Sequence, residues 1–261
     1  MKFLEKLRNR SAEVDNYLCV GIDPDPDKFP NQFEKSPQGV LTFCKSLIDI
    51  TSKKAAAYKF NLAFFELWGA KGFEVLSDLM NYVPEGIFTI GDAKKGDIGN
   101  SSKFYARAMY ENFHFDSVTI NPYLGSESIK PFIKDRTKGV FVLCVTSNPS
   151  GRELQDHGEP KLYQKTAQVC QQLYQKSKNV GLVMGATKPE QLIEIRRNFP
   201  EMPFLIPGIG SQGGTIEAAV QVCNKIEAGL INVSRGISFP EGRYPENIKN
   251  AVDKYADLFS K

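Results

Sequence analysis

Eight short runs of β-branched and apolar residues recur along the chain, each followed by a longer stretch with helical spacing, and this alternation limits the possible folds more than any other feature. The strand candidates are 17–23, 55–61, 87–92, 117–121, 140–145, 180–184, 204–207 and 229–233. The clearest helical stretches are 38–53, 64–81, 101–112, 162–178, 189–198, 214–224 and 245–259. In 38–53, Val40, Leu41, Cys44, Leu47 and Ile48 fall on one face. Parallel strands that each feed a helix form either an open doubly wound sheet or a closed barrel. Eight repeats in 261 residues, about 33 per β-α unit, favour a (β/α)8 TIM barrel in a single domain, residues 1–261. No linker, low-complexity segment or charge block marks a second domain. The longest irregular stretch, 146–160, is polar and reads as an active-site loop.

Barrels of this kind carry their chemistry at the C-terminal ends of the strands. Here those ends hold Asp23, Lys59 with Asn61, Asp92 with Lys94, Asn121, Thr146-Ser147, the glycine-rich 208–214 segment and Ser234-Arg235. Charged groups at several different strand ends are what a convergent site requires. Side chains alternate along a strand, so Asp92 and Lys94 point one way and Lys95 the other. Asp97 lies beyond the strand with the opposite parity, so it is free to serve something other than its own barrel mouth.

Composition excludes several other classes. The net charge of +3 comes from 33 basic and 30 acidic residues spread evenly, with no basic stripe for nucleic acid. Five scattered cysteines form no C-x-x-C pair and mostly sit in apolar runs, which suits a reduced cytoplasmic protein. The opening Met1 to Arg8 is amphipathic and interrupted by charge, without the apolar core of a signal peptide. No apolar stretch approaches the ~20 residues of a membrane span. His114 and His157 have no partner at metal-site spacing, so no metal site is expected, and His157 reads as a loop residue.

The string Asp92-Ala93-Lys94-Lys95-Gly96-Asp97-Ile98 resembles the signature of orotidine 5′-phosphate decarboxylases. In the same order as in that family come Leu18-Cys19-Val20-Gly21-Ile22-Asp23-Pro24, Tyr58-Lys59-Phe60-Asn61, Thr119-Ile120-Asn121-Pro122-Tyr123-Leu124-Gly125, Thr146-Ser147-Asn148-Pro149 and Pro207 to Gly214. Ser234-Arg235 follows them, and the likeness, closest to the longer bacterial subgroup, covers nearly the whole chain. It implies decarboxylation of orotidine 5′-phosphate to UMP and CO2 without cofactor or metal. It also implies a catalytic array of Lys59, Asp92, Lys94 and Asp97, with Asp97 supplied by the neighbouring subunit of a homodimer. Asp23 would bind a ribose hydroxyl and Ser147 the pyrimidine, while Gly210, Gln212 and Arg235 would hold the phosphate. Many family members have Gly-Arg where this chain has Ser234-Arg235; a backbone amide contact survives that change.

The chemistry fits these residue types. Loss of CO2 from C6 leaves a carbanion with no conjugated carbonyl, so a fixed ammonium such as Lys94 stabilises the charge and then protonates it. A carboxylate such as Asp92 repels the departing carboxylate in the ground state only. Three rivals remain. Gly208 to Gly213 matches G-x-G-x-x-G, a dinucleotide fingerprint. It falls in the seventh unit, and no acidic residue ends the next strand, although Arg235 would suit an NADP 2′-phosphate. Glycines after the seventh strand and a cation after the eighth also describe the phosphate site of barrels. Metal-dependent sugar-phosphate decarboxylases and aldolases of the same superfamily share D-x-K-x-x-D but use an acid on the second strand, where this chain has Lys59. A non-catalytic phosphate-binding barrel would not need Asp92, Lys94 and Asp97 together.

Overall fold

In a computed structural model that describes residues 1–209, 215–224 and 228–261, the chain closes into a barrel of eight parallel strands ordered β1 to β8. Helix α1 (Phe3–Glu13) precedes the first strand. The chain then runs through β1 (Leu18–Ile22), α2 (Pro37–Thr51), β2 (Ala57–Asn61), α3 (Ala63–Glu66), α4 (Ala70–Tyr82) and β3 (Phe88–Lys95). It continues with α5 (Gly99–Arg107), β4 (Ser117–Ile120), α6 (Ser126–Ile129), β5 (Gly139–Val145), α7 (Arg152–Gln155) and α8 (Leu162–Ser177). The last turns are β6 (Val180–Met184), α9 (Pro189–Asn198), β7 (Phe204–Pro207), α10 (Ile216–Asn224), β8 (Leu230–Val233), α11 (Arg235–Ser238) and α12 (Glu246–Leu258). The (β/α)8 barrel expected from the alternation is the observed architecture.

Strand parity sorts the core into two layers. Val20, Tyr58, Phe60, Val118, Ile120, Val142, Leu182, Ile206 and Ile231 face outward and pack under the helices. Cys19, Ala57, Phe88, Ile90, Phe141, Val183, Leu205 and Leu230 face inward and fill the lower barrel. Phe3 and Leu7 of α1 join that inner cluster, so α1 seals the end of the barrel where the strands begin. Phe3 packs edge-on to Phe88 with ring centroids 5.5 Å apart, against Gly139, whose place a Cβ could not share. Lys6 locks the plug by pairing with the buried Asp116 at 2.7 Å. Continuing the inward parity toward the strand ends reaches Gly21, Lys59, Asn61, Asp92, Thr119, Asn232 and Ser234. The same alternation therefore places apolar residues below and polar ones above.

Three local differences from the sequence reading have physical causes. The helix expected over 64–81 is broken, because Gly69 adopts φ 56° between α3 and α4. The irregular stretch 146–160 contains a helical segment, α7. Strand β3 runs on to Lys95 through an irregularity between Gly91 and Lys95.

Candidate active site

A cavity of about 480 Å³ opens at the C-terminal end of the barrel. Lys59 forms its floor from β2, only 5% exposed, and its Nζ donates to Asp92 Oδ2 at 2.7 Å. The same ammonium lies 3.9 Å from Asp23 Oδ1 at the end of β1. Lys94 Nζ donates to Asp92 Oδ1 at 2.6 Å, and the Thr119 hydroxyl donates to that oxygen at 2.9 Å. Asp92 is thus held between two ammonium groups, one buried and one half-exposed toward the cavity.

Burial alone would raise the Asp92 carboxyl, but Lys59 and Lys94 overcome it and hold the group well below the usual carboxylate range. Burial alone would lower the Lys59 ammonium, yet Asp92 and then Asp23 raise it above the ordinary lysine value. Each partner keeps the other charged.

Asp92 and Lys94 share the cavity as alternation predicts, but the backbone between them is not regular. Gly91 pairs with Val118 and Lys95 with Ile120, so three residues of β3 face the single Thr119 of β4. Within that bulge Lys94 takes φ 48°, a left-handed conformation that costs about 1–3 kcal/mol for a residue with a Cβ. The Thr119 oxygen accepts the Lys94 N–H at 2.9 Å. Lys95 turns outward, with its ammonium 3.9 Å from Glu66 and over the Tyr105 ring.

The other predicted residues divide into three groups. Asp23, Ser147 and Arg235 line the same cavity as Lys59, Asp92 and Lys94. Ser147 sits on the loop after β5, where its carbonyl accepts from Thr187 Oγ1 at 3.2 Å. Arg235 opens α11, and the preceding Ser234 packs against Gly21 so closely that any β1 side chain there would clash. Asp97 does not line this cavity; its carboxylate accepts the Ile98 N–H at 2.8 Å. Gly210 and Gln212 lie outside the described residues.

Thr119 and Asn232 were not among the predicted site residues, yet both line the cavity, as does Asn61. The sequence signal for them is faint: each is a polar residue at an inward position near a strand end, which ordinary strand composition also supplies. The buried Asn232 Oδ1 has no hydrogen-bond partner among the described residues. Among the described residues no three His, Cys, Asp or Glu side chains converge as a metal site.

Residues 16–241 match the family described as orotidine 5′-phosphate decarboxylase / HUMPS. Orotidine 5′-phosphate decarboxylase of Thermomicrobium roseum is 41% identical over 271 residues, covering 100% of this chain and 96% of the relative. That of Dehalococcoides mccartyi strain CBDB1 is 38% identical, covering 99% of this chain and all of the relative. The solved OMP decarboxylase of Leishmania donovani superposes with a TM-score of 0.85 at 34% identity, covering 99% of this chain and 97% of that one.

Proposed function

The chain belongs to the orotidine 5′-phosphate decarboxylase / HUMPS family and decarboxylates orotidine 5′-phosphate to UMP in pyrimidine biosynthesis; we propose that the Lys59–Asp92–Lys94 array at its mouth carries the reaction. The observation that supports this most is Asp92 gripped at 2.7 and 2.6 Å by two ammonium groups inside a cavity of nucleotide size. With substrate present, its C6 carboxylate lies beside Asp92, and the repulsion between the two ends as CO2 departs. The C6–carboxylate bond breaks and its electron pair stays on C6. Lys94 holds its ammonium at that charge, then gives C6 a proton, and the resulting amine takes a proton back from solvent. Lys59 keeps Asp92 ionised throughout. Asp23 binds a ribose hydroxyl, Ser147 the pyrimidine, and Arg235 with Gly210 and Gln212 the phosphate, whose binding energy draws the site closed around the ring.

Asp97 completes the array of a second copy. Its carboxylate does not line its own cavity, and Leu67, Ile98, Tyr105, Tyr123 and Leu124 are exposed on the segments that follow β2, β3 and β4. An apolar rim of this kind is suited to a two-fold homodimer. One barrel domain holds all of these residues in each chain. The free, buried cysteines suit a cytoplasmic setting, and no helix among the described residues is long and apolar enough to cross a membrane.

The metal-dependent reading of the same superfamily needs an acidic ligand on the second strand, where Lys59 presents a buried cation. The reaction is therefore metal-free. Ultraviolet assay of orotidine 5′-phosphate turnover, with and without EDTA, tests this. Undiminished rates of UMP and CO2 formation in EDTA are expected; loss of activity that added magnesium restores would overturn the reading.

A further inference from the structure

We propose that Thr119 is a positioning residue for this reaction, one hydroxyl that fixes both the backbone of Lys94 and the carboxylate of Asp92. The inference rests on the array reading above and goes beyond it, because the role given to Thr119 is to hold two members of the array, not to donate the proton.

The polarity of the hydroxyl follows from its partners. The Lys94 N–H, 2.9 Å away, has only a proton to give, so Thr119 Oγ1 accepts there. Its own single proton then goes to Asp92 Oδ1, also at 2.9 Å. The bulge makes this service necessary: between Gly91 and Lys95, β3 leaves its register with β4, and the threonine side chain takes the place of a carbonyl partner. That bond holds Lys94 in the left-handed conformation that sends its side chain into the cavity.

The second bond matters most with substrate in place. Of the three donors to Asp92, two are ammoniums on flexible stems. Once the Lys94 ammonium turns to C6, Oδ1 keeps only Thr119. Thr119 stands on a buried strand, 2% exposed, with the restricted χ1 of a β-branched residue. It stops the carboxylate from rotating after the lysine and so keeps it facing the group that leaves. The effect belongs to the chemical step. UMP has no carboxylate at C6, so its binding does not depend on how Asp92 is aimed.

Thr119→Val keeps the shape and removes both bonds. Its kcat should fall about a hundredfold, the scale of a misplaced reacting group, while the Kd for UMP by calorimetry stays within about twofold. Thr119→Ser, which restores the hydroxyl, should recover most of the lost kcat. If the valine variant shows no cooperative unfolding transition, Thr119→Cys, with its weak donor and acceptor, makes the same comparison. A kcat within about twofold of wild type, UMP affinity lost in step with kcat, or a serine variant no better than valine would each overturn the proposal. Lys94→Ala measured alongside separates the two ideas. If it keeps more than about a tenth of wild-type kcat/KM, the array reading fails; if it is inactive while Thr119→Val works normally, only the Thr119 inference fails.

Discussion

Asp92 accepts from three donors between 2.6 and 2.9 Å, so its charge is bound up with the stability of the fold. Asp92→Asn leaves the buried Lys59 ammonium, among the described residues, with only the more distant Asp23 carboxylate, 3.9 Å away. Breaking a buried pair from one side costs about 3–5 kcal/mol, and Asp23 should keep the loss near the lower end. A carboxyl held below its unfolded value stabilises the fold above that value, about pH 3.9, and the contribution fades as pH falls toward the lower folded value. Urea unfolding should therefore show a gap between wild type and Asp92→Asn that is steady from about pH 5 to 7. By pH 3 it should narrow by about 1 kcal/mol; a gap that widens in acid would contradict the assignment. Lys59, Asp92 and Lys94 were legible in the sequence because a charge at the end of an apolar strand stands out. Thr119 and Asn232 were not, since a neutral polar residue in an apolar run resembles ordinary strand composition. Nor could alternation show that Lys94 reaches the cavity through a bulge.

Among the elements, α1 shows how little of a tertiary role periodicity carries. Its opening residues read as amphipathic, and the helix forms, but the partners of Phe3 are Phe88 and Phe141 on distant strands. Only the closed barrel brings them together. Because Phe3 is 1% exposed and closes the inner core, Phe3→Ala should cost about 3–5 kcal/mol and lower Tm by about 6–20 °C. Its kcat at 25 °C should stay near wild type, because the cavity lies at the opposite end of the barrel. A thermal shift under about 2 °C would show that α1 is not a structural plug. The break at Gly69 was hidden for a related reason: apolar spacing on either side continues in phase, and one left-handed glycine interrupts a helix without disturbing that pattern.

At the scale of the molecule, the eightfold alternation made the closed barrel legible because strand order follows chain order all the way round. Asp97 stands outside the cavity that Lys59, Asp92 and Lys94 line, so under the proposed reading a single chain leaves the charge array unfinished. If the site is shared, each active site joins Lys94 of one chain to Asp97 of another. Lys94→Ala and Asp97→Ala homodimers should each be nearly inactive. In a mixed dimer one site carries both lesions and the other carries neither. Refolding the two variants together, with exchange confirmed by differently tagged chains, should restore about a quarter of wild-type activity if pairing is random, because half the dimers then hold one intact site. Verified mixed dimers that remain inactive would contradict the shared site.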